Sequence, residues 1–270
     1  MAAVETVLGA ARAAGRPSLV GYITGGIRAD WTGLLAAIIS AGADAVEIGL
    51  PFSDPMLDGP VIQRASEAAL ARGASADRIL AELCAAGPWP VPLIAMSYAN
   101  LAFRPGLPGY CAALAAAGFS GTIIPDLPVA EADGYLAAAG QAGLDATLMV
   151  TPATPAAQRR VIAARTRGFL YVMSVMATTG TTAEQQDPSR WAVAAQARAG
   201  GATRPVLIGF GIGTPARAAA AVRHADGVIV ASALMRRVLD GATAAEVGHA
   251  VGELRAAVDG ARPRTSEEAP

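Results

Sequence analysis

Short runs of branched apolar residues alternate along the chain with longer Ala-rich stretches whose apolar positions recur at helical spacing. Eight runs read as strands: Ser18–Thr24, Ala45–Leu50, Pro92–Tyr98, Gly121–Asp126, Ala146–Thr151, Phe169–Val175, Pro205–Phe210 and Gly227–Ser232. Between them lie helical stretches such as Thr32–Ala41, Val61–Arg72, Tyr110–Ala117, Ala156–Thr166 and Pro215–Arg223. Strict alternation predicts a parallel sheet, because parallel neighbours need crossover connections, and eight units predict that it closes. The expected architecture is a single α/β domain, a (β/α)8 TIM barrel, which takes about 250 residues. Two additions are expected: an N-terminal helix, Val4–Ala14, plugging the barrel's bottom, and an inserted helix after the second strand, where the longest gap holds Pro51–Pro60, Val61–Arg72 and Asp77–Ala86. The barrel should run over 1–259, leaving 260–270, polar and Pro-containing, as a disordered tail. An open doubly wound sheet is the alternative, but Gly25-Gly26 is too short for the Gly-rich fingerprint it would carry.

With 53% hydrophobic residues, 16% charged residues and a mean hydropathy of +0.40, the chain can bury a large core. A net charge of −1 with scattered arginines offers no basic stripe for nucleic acid. No apolar run reaches the ~18 residues of a membrane span, and Met1–Leu8 has no basic region leading into an apolar one, so a cytoplasmic protein is expected. Cys84 and Cys111 fall in Ala/Leu-rich helical patterns and read as small core residues. Every basic residue among the 21 Lys plus Arg is arginine. Without lysine there is no Schiff base to a carbonyl substrate and no lysine-anchored pyridoxal phosphate. His224 and His249 stand alone, with no second ligand at metal spacing.

In the second strand Ala45, Glu47 and Gly49 alternate with Val46, Ile48 and Leu50, which puts Glu47 on the inner face near the barrel's C-terminal mouth. The competing reading is a buried carboxylate paired with an arginine from a neighbouring strand, yet no strand core carries one. The loop Pro51–Pro60 follows, with three prolines and two acids. Asp54 before Pro55 reads as a turn, whereas Asp58 before Gly59-Pro60 reads equally as a turn or helix N-cap and as a catalytic acid. On the far side, Gly209–Pro215 follows the seventh strand and Ala231-Ser232-Ala233 the eighth, the usual place for a phosphate cradle in such barrels. Outside that context the Gly-x-Gly there reads equally as a tight turn. Met176–Thr182, after the sixth strand, fits a lid or a plain connector.

The stretch Glu47–Pro55 with Asp58-Gly59-Pro60 closely resembles the tryptophan synthase alpha chain family. The likeness continues, in the family's order, through Tyr98-Ala99-Asn100, Pro125–Pro128, Gly168–Tyr171, Gly209–Ile212 and Asp226–Val230. The resemblance implies retro-aldol cleavage of indole-3-glycerol phosphate to indole and glyceraldehyde 3-phosphate, without a cofactor or metal. It implies that Glu47 shuttles the proton, that Asp58 holds the indole N–H, and that Tyr171, inward with Phe169 and Met173, is an active-site tyrosine rather than only a core aromatic. Tyr22 and Leu127 would line the indole pocket and Tyr98 would join the substrate-binding set. Gly180, Gly211, Ala231 and Ser232 would contact the phosphate, and Thr179 would close on Asp58. A pyridoxal-phosphate beta chain in an alpha-beta-beta-alpha assembly is the implied partner, docking near Ser53–Pro60 and Asn100–Pro105. A stand-alone indole-releasing lyase, a regulatory barrel without turnover, and another phosphate-binding barrel enzyme such as a phosphoribosylanthranilate isomerase are the alternatives. The chain departs from the family at Gly25–Arg28, where an X-Pro is usual, in the loop Ala177–Thr182, and at Ala231, which stands for a glycine.

Overall fold

The computed structural model describes residues 3–173, 191–199 and 202–261. Its strands are β1 (Ser18–Thr24), β2 (Ala45–Gly49), β3 (Leu93–Met96), β4 (Gly121–Ile123), β5 (Asp145–Val150), β6 (Leu170–Met173), β7 (Val206–Gly209) and β8 (Gly227–Val230). Each pairs in parallel with the next and β8 with β1, closing the barrel. The helices are α1 (Val4–Ala13), α2 (Trp31–Ser40), α3 (Pro60–Ala71), α4 (Ala76–Ala86), α5 (Ala99–Phe103), α6 (Leu107–Ala116), α7 (Asp133–Gln141), α8 (Ala156–Arg165), α9 (Ala192–Ala199), α10 (Pro215–Ala221), α11 (Ser232–Leu239) and α12 (Ala244–Asp259).

The eight expected strands form, and most end earlier than their apolar runs. Pro125 has no N–H for the ladder and β4 stops at Ile123; Tyr98 and Ser232 leave their strands to begin α5 and α11. Phe210 turns left-handed after β7. The expected ends of β6 at Ser174 and Val175, and most of the tail 260–270, lie outside the described residues.

Two layers of apolar packing follow from the strand period. Val46 and Ile48 face the helices in the outer core, with Leu34, Leu35 and Ile38 of α2. The inner faces bring together Val20, Ala45, Ile94, Ile123, Phe169, Leu207 and Ile229, and Val4 and Leu8 of α1 close this cluster from below. Gly121 leaves the space that Val4 fills, since a Cβ there would come within 2.9 Å of Val4 Cγ2. Burying a side chain such as Leu8 contributes about 1.5–3 kcal/mol, which makes the α1 plug part of the core. The inserted α4 presents Ile79 and Leu83 to the core, and Ser75 caps it by accepting from the Arg78 N–H at 3.2 Å. A Cβ at Gly25 would meet Ile79 at 2.8 Å, and Gly26 has φ +72 with Ala74 where its Cβ would go. The two glycines of the Gly25–Arg28 segment therefore allow the close seating of α4. Among the described residues no helix is long and apolar enough to cross a membrane.

Candidate active site

At the C-terminal mouth a pocket of about 440 Å³, partly open to solvent, is lined by Tyr22, Glu47, Asp58, Met96, Tyr171, Gly211, Ala231 and Ser232 together with Ile62, Phe210, Ile212 and Ile229. Seven of the residues singled out in the sequence thus converge. Their elements explain why: β1 and β2 place Tyr22 beside Glu47 in register, β6 aims Tyr171 inward, and the loops after β7 and β8 supply the opposite rim.

Glu47 is 1% exposed, and among the described residues neither carboxyl oxygen has a hydrogen-bond partner. The arginine-paired alternative is excluded by that geometry. Desolvation alone pushes its pKa up to about 8, because burial disfavours the anion and no neighbour compensates. An uncompensated acid at the wall of a cavity is a group set to exchange a proton with whatever fills the cavity.

Asp58 is held differently. Gly59, not Asp58, is the N-cap residue of α3, and Pro60 begins the helix. The Asp58 N–H bonds the Pro55 carbonyl at 3.0 Å in a turn, and its own carbonyl accepts from Gln63 Nε2 at 2.8 Å. With its N–H spent on the turn and its carbonyl on Gln63, the carboxylate is left for the pocket. Tyr98 donates its hydroxyl to Asp58 Oδ2 at 3.0 Å, accepts from the Leu57 N–H at 3.1 Å, and stacks on Phe52 at 5.2 Å. Desolvation raises the Asp58 pKa to about 6, with the Tyr98 bond opposing it. The two carboxyls of one pocket are therefore set apart, Glu47 held the more firmly in its protonated form. Asp54 is the plain turn residue expected, its carbonyl accepting from the Met56 N–H at 2.9 Å.

Glycine makes room for two of the phenols. A Cβ at Gly49 would overlap the Tyr22 hydroxyl, and one at Gly209 would overlap that of Tyr171. Burial first, then Glu47 and Asp58, hold the Tyr171 phenol well above its usual range, so it stays neutral. Its ring meets Phe169 at 6.0 Å and, edge-on, Phe210 at 6.2 Å. Phe210 has φ +69, a conformation costing about 1–3 kcal/mol for a residue with a side chain.

On the opposite rim, Gly211 has φ +72. Ala231 has φ −112, so alanine sits there without left-handed strain. Thr214 caps α10 by accepting from the Arg217 N–H at 3.3 Å, whereas α11 opens at Ser232 with no side-chain cap. Uncapped first-turn N–H groups and the helix dipole favour an anion on that side.

Not every expected residue is in the pocket. Tyr98 lines an adjoining cavity with Tyr22 and Asp58, and Leu127 packs against the outer core and lines neither. Thr179 and Gly180, with the loop Ala177–Thr182, lie outside the described residues. The residues sequence reasoning missed are apolar: Met96 and Ile229 occupy inward strand positions that the period of two could have flagged, while Ile62 on α3 carries no such signal. Among the described residues no group of His, Cys, Asp and Glu is placed to hold a metal ion.

Comparison with known proteins bears on this geometry. A family model described as "Tryptophan synthase alpha chain" matches residues 8–259. The chain is 44% identical over 233 residues to the tryptophan synthase alpha chain of Chloroflexus aurantiacus, covering 84% of this chain and 86% of that one. It is 37% identical over 246 residues to that of Thermobifida fusca, covering 89% and 90%. Among solved structures it superposes on tryptophan synthase subunit alpha from Legionella pneumophila with a TM-score of 0.84 at 31% identity, covering 96% and 99%. A chain of Mycobacterium tuberculosis tryptophan synthase gives 0.84 at 34% identity over the same shares.

Proposed function

Because the chain belongs to the tryptophan synthase alpha chain family, we propose that Glu47 and Asp58 divide the work of its carbon–carbon bond cleavage, Glu47 as the proton shuttle and Asp58 as an anion that holds the ring N–H and stabilises positive charge. The family's reaction is the lyase step of tryptophan biosynthesis, conversion of indole-3-glycerol phosphate to indole and glyceraldehyde 3-phosphate. The observation that carries the division is geometric: Glu47 is buried with neither carboxyl oxygen partnered, whereas Asp58 accepts the Tyr98 hydroxyl at 3.0 Å, which opposes the effect of burial. Glu47, holding its proton at pH 7, gives it to C3 of the indole ring, which becomes an indolenine cation. Asp58, ionised, accepts the ring N–H and stabilises that cation. The bond from C3 to the glycerol carbon then breaks, its electron pair returning the ring to indole, while the hydroxyl on that carbon passes its proton to the Glu47 carboxylate and becomes the aldehyde. Protons and electrons balance without a cofactor, and Glu47 ends as it began. Tyr22 and Tyr171 wall the ring side, and Gly211, Ala231 and the α11 N-terminus at Ser232 receive the phosphate.

This assignment fixes a pH profile for kcat/KM. Turnover needs Asp58 ionised and Glu47 protonated, so activity rises through about pH 6 and falls through about pH 8. Initial rates of indole release across pH 5 to 9, in buffers of constant ionic strength, check it; a rate still climbing above pH 8 would contradict the assignment.

The reading extends to a beta-chain partner at the barrel mouth. Of the large apolar side chains exposed among the described residues, Met56 and Leu57 lie on the loop after β2 and Phe103 ends α5, after β3, and we take these exposed apolar groups as the docking surface. Met56→Glu with Phe103→Glu should abolish co-elution with a beta chain on gel filtration while leaving unassisted indole release in place. Co-elution of the double variant would move the interface elsewhere. We place the domain at 1–259 and the protein in the cytoplasm, where two free thiols are the ordinary state of cysteine.

A further inference from the structure

The end of the barrel opposite the active-site pocket carries a second hollow, of about 550 Å³, lined by Arg12, Arg16 and Arg198, by the carboxylate Asp226 and by the turn at Gly15 and Pro17. Three segments bring the guanidinium groups together. α1 ends in a left-handed Gly15, φ +66, whose N–H bonds the Arg12 carbonyl at 2.9 Å while the Arg16 N–H bonds that of Ala11 at 2.9 Å. The chain doubles back there, so Arg16 shares the hollow with Arg12. Arg198 comes from the last turn of α9. Asp226 immediately precedes β8 and accepts the Val206 N–H that opens β7 at 2.8 Å. The four residues of each of these strands, roughly 10–13 Å of chain, separate the hollow from the mouth of the barrel.

The arginines are not neutralised where they stand. Asp226 is the one carboxylate in the lining, and its buried oxygens lie 3.7 Å from Arg12 Nε and 3.5 Å from Arg198 Nε, at or beyond hydrogen-bond reach. Arg12 spends one further N–H on the Thr203 carbonyl at 3.1 Å. Arg16 reaches Asp44 at 2.6 Å, but Asp44 is shared with Arg255 at 3.0 Å and with the Leu19 N–H at 2.8 Å. Three guanidinium groups against one carboxylate leave the lining with an excess of two positive charges. Complementing helix dipoles accounts for Arg12 and Arg198, which lie in the last turns of α1 and α9. It does not account for Arg16, which lies beyond the end of α1, nor for three cations converging on one concavity.

We propose that this hollow binds the phosphate group of a small phosphorylated molecule, at a site separate from the one where the carbon–carbon bond is cleaved. A phosphate dianion matches the excess charge, and its oxygens accept from guanidinium forks arriving from three directions, where a single carboxylate would leave one charge unanswered. The hollow has the size of a small-molecule site, several times what a bare phosphate fills, so the ligand class is a phosphate ester whose carbon skeleton lies along Gly15, Pro17 and Ala225.

The arginine Nε–Hε signals of the full chain, labelled with nitrogen-15, read out binding as glycerol 3-phosphate or inorganic phosphate is added at an ionic strength held constant with chloride. Among the described residues no arginine lines the pocket at the mouth, so phosphate bound there is not what these signals report. The signals of Arg12, Arg16 and Arg198, assigned with single Arg→Gln variants, should shift along one saturating curve, the ester binding at least as tightly as inorganic phosphate. In Arg16→Gln with Arg198→Gln, Arg12 should need at least ~10-fold more ester to reach half its shift, the loss expected from one charge-assisted hydrogen bond or more, while kcat and KM for indole release keep their wild-type values. Shifts that do not saturate, or that chloride alone reproduces, would mean an adventitious ion only and overturn the proposal. Saturation by inorganic phosphate but not by the ester would overturn it too, as would an Arg12 curve unchanged in the double variant or a folded double variant that no longer releases indole. Arg198→Gln alone, which gives up one 3.5 Å contact, carries the same comparison if the double variant does not fold.

Discussion

Glu47→Gln is expected to abolish indole release and, at the same time, to make the protein harder to melt by a margin that widens from pH 5 to pH 8. Loss of the proton shuttle should lower kcat by at least ~10³-fold, the upper part of the range for a positioned general acid-base. The stability effect follows from linkage. Folded Glu47 keeps its proton up to about pH 8, whereas an ordinary glutamate ionises near 4.5. Between those values the folded chain binds the extra proton, so its contribution to stability, complete below pH 4.5, is lost progressively as pH rises toward 8. At about 1.36 kcal/mol per pKa unit this amounts to roughly 3 kcal/mol by pH 7. Glutamine does not titrate and escapes the loss. Any fixed cost of burying an unpartnered amide offsets the two melting curves equally at every pH, so the slope of the difference is the informative quantity. Thermal melts of both proteins at half-unit pH intervals measure it. Parallel curves would mean that Glu47 is ionised in the folded state and could not supply a proton.

Asp58→Asn should be nearly as damaging for a different reason. Asparagine keeps the shape, can still accept from Tyr98 and from an indole N–H, and loses only the charge. If that charge stabilises a cation present only in the transition state, kcat should fall by about 10²–10³-fold while KM stays close to wild type. The acidic limb near pH 6 should also vanish, leaving residual activity flat below pH 8, because the group that titrates there is gone. A variant that raises KM and leaves kcat intact would show Asp58 to be a binding group only. A surviving acidic limb would assign it to another acid.

The alternation of apolar runs was enough to announce a closed barrel, since eight parallel strands with helical crossovers leave little else for 270 residues to form. Glu47 was legible for the same reason: a strand's period of two leaves no doubt which face it shares with Ala45 and Gly49, and the structure puts Ala45 in the inner cluster and Val46 in the outer. Asp58 was not legible from spacing, because turn, cap and catalytic acid use the same residue before Gly-Pro. Only the family resemblance favoured catalysis, and the structure shows how the ambiguity resolves, with the backbone making the turn and Tyr98 holding the side chain. Strand ends were overread where an apolar run continued past the last ladder bond into a loop of the site, as at Tyr98 and Phe210. Phe210 shows the limit most clearly. Nothing in a Gly-Phe-Gly sequence says that the phenylalanine takes the left-handed conformation and meets Tyr171 edge-on, a neighbour far away along the chain.

The proposed proton shuttle requires the Glu47 carboxyl to be neutral in the resting protein. Carbon-13 NMR of the chain labelled at glutamate side-chain carboxyls, titrated from pH 4 to 10 with Glu47→Gln to assign the signal, observes it directly. A Glu47 resonance that stays at the protonated position through pH 7 and titrates near 8 is the predicted result. One that titrates near 4.5 with the other glutamates would contradict the division of labour between Glu47 and Asp58.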